Sequence, residues 1–233
     1  MIRLFAAFAF ADEAELGFDL GMKPVPDNPG QFDITVHPSD AEESPRTFRT
    51  VELLSSFGAE PLRGRGTRVF KAIELDESEN PKGQHVVLKD IWIDSDRMRE
   101  GNILTELYEA AEENDKPLVL KYFLTAIFHG DVRTISDSPD DTAKCIMRGL
   151  NIDPDRGQQF VLQHTPVLPP NEKGSGSAVL REACQVPVYR PRIIYAPKTH
   201  YRIVFAEICK PIDDISSLSD VMSLLSEAAR GAF

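Results

Sequence analysis

The feature that most constrains this chain is a lysine set in the middle of an apolar strand. Val86-Val87-Leu88-Lys89-Asp90-Ile91-Trp92-Ile93 is rich in β-branched and aromatic residues, and strand alternation puts Lys89 on the same face as Val87, Ile91 and Ile93. An ammonium on an apolar face needs an anionic partner, because burying it unpaired is costly. The segment that follows can supply one. A helix is predicted over about residues 96–112, with Ser95 able to cap its first amides and Asp96 suited to the positive end of its dipole. At about 100° per residue, Ile103, Leu104, Leu107 and Ala111 point in nearly one direction, and Glu100 falls at the centre of that arc whereas Glu106 lies off it. Glu100 is therefore expected to face inward, toward Lys89.

Around this pair, strand signals recur at 51–57, 68–75, 86–93, 122–128 and 201–208. The implied fold is α+β: an antiparallel five-stranded sheet with one packed helix. Residues 4–16 read as a short apolar helix, and 17–45 as a Pro/Gly/Asp-rich passage with one plausible strand at 32–36 and little core of its own. Residues 131–198 contain several prolines, the acidic stretch 137–141 and Gly174-Ser175-Gly176-Ser177. They read as a long, partly ordered insertion, with a weak helix at 142–150. Ser217-x-x-Asp220 resembles a capping box, and Leu218, Val221, Met222, Leu225 and Ala229 follow at helical spacing. The expected organisation is an N-terminal extension over 1–48, the main domain over 49–209 with its insertion, and a closing helical segment over 210–233.

Charge and cysteine usage narrow the function classes. The 233 residues carry 26 Lys plus Arg against 37 Asp plus Glu, a net −11. That balance argues against nucleic acid, whose binding depends on a basic footprint that displaces counterions. Cys145, Cys184 and Cys209 are far apart and form no C-x-x-C pair, so neither a thiolate zinc site nor a disulfide framework is expected. The histidines His37, His85, His164 and His200 show no metal-ligand spacing. No stretch approaches the ~20 apolar residues of a membrane-spanning helix. The apolar run 4–11 ends in Ala9-Phe10-Ala11, a small-x-small pattern, but it reads as a buried helix rather than a secretion signal, and a cytoplasmic or nuclear location is expected.

Leu62-Arg63-Gly64-Arg65-Gly66-Thr67-Arg68-Val69-Phe70 places two glycines in a tight turn before an outgoing strand. Such a hairpin can lay backbone N–H groups over phosphates, although alone it signals only a turn. Hairpin, strand lysine and helix glutamate in that order, the last two eleven positions apart, form a more specific joint pattern. It resembles the N-terminal lobe of a protein kinase. In particular, Gly64-Arg65-Gly66-Thr67-Arg68-Val69-Phe70, Val87-Leu88-Lys89-Asp90-x-Trp92, Glu100-Gly101-x-Ile103-Leu104 and the run from Tyr201-Arg202-Ile203-Val204-Phe205 to Ile212 resemble the fungal-type protein kinase family, as does the early Leu16-Gly17-Phe18-Asp19.

That resemblance implies roles. Lys89 and Glu100 would be the catalytic-lobe pair, with Lys89 contacting ATP phosphates under a cover made by Gly64, Gly66, Thr67 and Val69. Val87 would belong to the nucleotide-binding set, Ala206 would guard the back of the pocket, and Glu207, Ile208 and Cys209 would be the hinge, the alternative for 201–208 being an ordinary core strand. The implied activity is ATP-dependent phosphorylation of protein serine or threonine. Against it, the loop has no third glycine, and H-R-D-x-x-x-x-N and D-F-G, which hold the catalytic base and both metal ligands, do not occur in these residues. His129-Gly130-Asp131 resembles the H-G-D of small-molecule phosphotransferases, but Ser136 stands where the metal-binding Asn belongs, and the triplet reads as a strand end. The chain is thus expected to be a kinase lobe truncated before its C-terminal lobe, inactive by itself, with weak or no ATP binding and magnesium relevant only if a C-terminal lobe is supplied. Two alternatives stay open. One is a non-catalytic, pseudokinase-like module that binds a protein partner on the surface a C-terminal lobe would cover, and the other is a gene-model artefact with no stable fold.

Overall fold

The computed structural model describes residues 2–40, 42–57, 66–145, 197–210 and 212–230. All of these lie in one compact unit of residues 1–148 and 197–233, and the second unit, 149–196, is outside the described residues together with most of the expected insertion. Gly64, Cys184 and His164 are also outside them.

Among the described residues the sheet has seven strands, not five: β1 (Met22–Pro24), β2 (Phe32–Val36), β3 (Arg46–Phe57), β4 (Thr67–Leu75), β5 (Pro81–Asp94), β6 (Ala126–Asp131) and β7 (Lys198–Phe205), in the order β1-β2-β3-β4-β5-β7-β6. Every neighbouring pair is antiparallel. The five expected strands are β3 to β7, and the extra two come from the N-terminal passage. That passage brings Ile34 and Val36, both fully buried, into the common core, so residues judged to carry little core of their own complete the sheet. Their short polar–apolar alternation, Phe32-Asp33-Ile34-Thr35-Val36, becomes decisive only once a neighbouring strand gives it a face.

The one-helix expectation also changes, because five α-helices appear among the described residues. They are α1 (Ile2–Phe10), α2 (Glu100–Ala110), α3 (Lys116–Tyr122), α4 (Thr142–Cys145) and α5 (Leu218–Arg230). The predicted strand at 122–128 is instead the end of α3 followed by β6. Pro117 sits in the first turn of α3, where its missing N–H costs nothing. The apolar run after it fits a strand signal although it belongs to two elements.

Helix α2 starts later than the capping signal suggests, for a tertiary reason. The Ser95 hydroxyl lies 3.0 Å from the Thr199 hydroxyl, and the Ser95 N–H donates to the Pro197 carbonyl at 2.9 Å. The chain is still tied to the start of β7 there, and helix can begin only after the turn in which Arg97 N–H donates to the Asp94 carbonyl. In α5 the Asp220 N–H approaches Ser217 Oγ at 3.4 Å, near where the capping box places it.

The sheet is curled and has a core on each face. One gathers Ile34, Val36, Phe48, Phe70, Ala72, Val86, Leu88, Phe128 and Val204. The other gathers Val87, Ile91, Tyr201, Ile203 and Phe205, with the half-buried Val69, Ile93, Leu104 and Ala126. Successive residues of β5 alternate between these cores, as the pleat requires. The curl brings the end of β2 against β6, where a Cβ at Gly130 would overlap the His37 carbonyl. The structure thus presents one sheet face to α2, and that face carries Lys89.

Candidate functional site

On β5, Lys89 pairs in register with Val69 of β4 and Ile203 of β7. Its ammonium leaves the strand among Val87, Ile91 and Val69 and meets the first residue of α2. The Lys89 Nζ–Glu100 Oε2 distance is 2.6 Å, with side chains 26% and 41% exposed. The pair is therefore only partly desolvated, and one side of it faces a cleft of about 200 Å3 lined by Lys89, Ile91, Ile93, Met98, Glu100 and Ile103, among others. The helical arc is rotated from the expected one. Gly101 is buried and Leu104 joins the core, whereas Ile103 is 48% exposed on the cleft side.

The remaining sequence-predicted residues divide. Gly66 has a left-handed φ of 48° at the root of the hairpin, Thr67 opens β4, and Val69 and Val87 lie on the same face as Lys89. Gly64, which would complete the cover, falls outside the described residues. Strand β7 ends at Phe205, three residues before the predicted end. Ala206 makes one more backbone bond, its N–H donating to the Thr125 carbonyl at 3.1 Å, and is exposed. The Glu207 carboxylate accepts the Thr125 N–H at 2.9 Å, so this side chain ties the exit of β7 to the entry of β6. Ile208 and Cys209 are exposed. From Ile203, opposite Lys89, to Ala206 is three strand residues, or about 10 Å.

A second constellation on the opposite face escaped the sequence reading. Asp90, 1% exposed, accepts Arg68 Nε and Nη2 at 3.0 and 2.6 Å on one oxygen, and His200 Nε2 and Arg202 Nε at 2.8 and 2.9 Å on the other. Arg202 continues to the Thr35 carbonyl at 2.7 Å and to the Asp19 carboxylate. His200 Nδ1 lies 3.2 Å from Asp140, and its ring stacks on Trp92 at 4.6 Å between centroids. The runs containing Asp19, Asp90, Trp92 and Arg202 were visible as family-like wording. Their convergence was not, although the alternation that faces Lys89 one way necessarily faces Asp90 the other.

Electrostatics make this cluster self-consistent. Burial by itself would raise the Asp90 pKa, but the His200 hydrogen bond and the charges of His200, Arg202 and Arg68 outweigh it and hold the carboxyl far below its ordinary range. Burial would likewise lower His200, yet its bonds to Asp140 and Asp90 prevail and raise it. An imidazole with a carboxylate at each nitrogen is a double donor, which is the protonated form. Asp19, Asp90 and His200 bring ligand atoms within 4.8 Å of one another, but the guanidinium of Arg202 binds both carboxylates and already supplies the cation there.

Chemically, the Lys89 face offers a positioned cation beside an apolar strand surface and a glycine hairpin, with an acid that orients the cation without burying it. A family model described as fungal protein kinase matches residues 1–232. Neither a curated protein nor a solved structure gives a match.

Proposed function

The chain belongs to the fungal protein kinase family, and from that membership we propose that this lobe binds the nucleotide for ATP-dependent phosphorylation of protein serine or threonine. The observation that carries the reading is the 2.6 Å Lys89–Glu100 pair on the face shared by Val69 and Val87. In this role Lys89 neutralises phosphate oxygens and Glu100 keeps its ammonium from swinging to solvent. Val69 and Val87 offer an apolar wall to the adenine ring. The Ile208 and Cys209 backbone groups, which form no backbone hydrogen bond with other described residues, would pair with its edge. The hairpin at Gly64, Gly66 and Thr67 would cover the phosphates.

The chemistry of transfer needs a catalytic aspartate and magnesium ligands, and the H-R-D and D-F-G motifs that carry them do not occur in these 233 residues. Among the described residues, Asp19, Asp90 and His200 bring ligand atoms together, but the Arg202 guanidinium already binds both carboxylates, so this group does not fit a catalytic magnesium ion. By itself the chain is therefore expected to bind ATP weakly, since one wall of a cleft leaves much of a ligand wet, and to transfer no phosphoryl group. A second reading, a non-catalytic module that docks a protein partner, is favoured by the exposure of Leu218, Met222 and Leu225 along α5.

Calorimetry and a radiolabel transfer assay, with ATP and magnesium, separate these readings when combined with NMR at millimolar ATP. The nucleotide reading expects weak, saturable shifts at Gly66, Val69 and Val87 that are lost in Lys89→Met. Shifts confined to other regions would refute it. Micromolar binding with lysine-dependent transfer would refute the expected inactivity and show that another residue acts as base.

A further inference from the structure

We propose that the start of α2 is a three-strand latch and that Tyr201 is the positioning residue that keeps Glu100 on Lys89. Three consecutive residues each engage a different strand. Arg99 forms a two-pronged pair with Asp131 of β6, Nε–Oδ1 2.7 Å and Nη2–Oδ2 2.9 Å. Glu100 reaches Lys89 of β5. The Gly101 N–H donates to the Tyr201 hydroxyl of β7 at 3.0 Å.

The first-turn amides of a helix have no acceptor within the helix. Arg99, at the N-cap, provides no side-chain cap here, because a guanidinium carries only donors and cannot accept an amide N–H. The phenol of Tyr201 takes over that role from another element. It is 1% exposed, and burial pushes its pKa well above the ordinary tyrosine range, so it stays neutral. The approach is close because residue 101 is glycine: a Cβ there would overlap the imidazole of His129. His129 Nδ1 is buried without a partner among the described residues, and burial lowers its pKa. A neutral ring can pack this closely against the helix backbone, whereas a charged one would need a partner that His129 lacks among the described residues.

Magnitudes show which contact holds the helix. A partly exposed ion pair such as Lys89–Glu100 contributes little, because water screens it and ordering two long side chains offsets the gain, and it is too weak to set the orientation of a helix. A buried hydrogen bond whose loss strands a buried hydroxyl or amide costs more than the bond itself contributes. Because Arg99 and Gly101, on either side of Glu100, are tied to two different strands, the backbone at Glu100 is fixed beside Lys89 from both sides. Glu100 is thus held by the contacts of its neighbours Arg99 and Gly101 and not by Lys89. The purpose of holding Lys89 rests on the nucleotide reading above, but the geometry does not.

The test is Lys89 reactivity in the full chain, without nucleotide. An amine-reactive succinimidyl ester is applied briefly, and labelling of the Lys89 peptide is followed by mass spectrometry. Glu100→Gln sets the rate for a released lysine. Tyr201→Phe, which removes one oxygen, and Asp131→Asn, which opens the latch on another strand, should each raise labelling about two- to tenfold, the shift of one lost hydrogen bond. Val36→Ala weakens the other core and should leave Lys89 labelling unchanged. Tyr201→Phe labelling at the wild-type rate, or an equal rise in Val36→Ala, would overturn the proposal. If wild-type chain fails to bind ATP while Tyr201→Phe releases Lys89, the nucleotide reading fails and the latch stands. Intact ATP binding with unchanged labelling sinks the latch alone.

Discussion

Replacing Asp90 by asparagine should be among the most damaging isosteric changes in this chain, although the residue lies on the face away from the candidate site. Its carboxylate accepts four charge-assisted hydrogen bonds, two from Arg68, one from His200 and one from Arg202. Asparagine keeps the shape but presents an NH2 group to cationic donors on one side. The three cations would not suffer equally. Arg68, 38% exposed, can turn to water, and His200 can shed its proton. Arg202, 1% exposed, can do neither and keeps only Asp19 and backbone carbonyls.

Breaking one partner out of a buried ionic cluster typically costs about 3–5 kcal/mol. In a chain of this size that corresponds to a fall of roughly 6–20 °C in Tm. Urea and thermal unfolding followed by far-UV circular dichroism would measure it. Asp33→Asn serves as the comparison, since the Asp33–Arg49 pair is about a quarter exposed on both sides and should cost at most about 1 kcal/mol. A loss of less than about 1 kcal/mol for Asp90→Asn would refute the claim that this cluster anchors the strand carrying Lys89.

Stability should also depend on pH through His200. Its folded pKa is raised, so its contribution is fully present below the unfolded value of about 6.5 and is lost as pH rises through the folded value. Chemical unfolding across that range should show wild-type chain weakening, and Asp140→Asn, which removes one of the two carboxylate charges beside the ring, should lose stability at lower pH. An identical pH profile in both proteins would count against the double-donor imidazolium. The apolar residues of α5, with Leu218 76% exposed, should make the chain self-associate at high concentration, and Leu218→Ser with Met222→Ser should relieve it. Monodisperse, monomeric wild-type chain in light scattering would contradict that expectation.

Much of the candidate site was legible from spacing. Lys89 on an apolar face, and Glu100 near the start of the next helix, followed from alternation and from eleven residues of separation, which are local quantities. Strand identity at β3, β4, β5 and β7 was equally local, as was the closing helix after Ser217. Boundaries failed where a side chain had a choice that only a distant partner decides. Ser95 could cap a helix, but Thr199 took its hydroxyl, and Glu207 looked like strand until Thr125 drew its carboxylate aside.

The charged cluster behind the sheet shows the same division. None of Asp19, Arg68, Asp90, Asp140, His200 and Arg202 carries in its own segment a signal of the others. The pleat already required Asp90 to face away from Lys89, so its side of the sheet was determined by sequence alone. Which cations would meet it there depended on register across β4, β5 and β7 and on the curl that brings residue 19 to residue 202. Tyr201 and Gly101 are a hundred positions apart, and no period in the sequence relates them. Alternation is a property of one strand and can be read from it, whereas pairing is chosen by the free energy of the whole sheet and appears only when the strands are together.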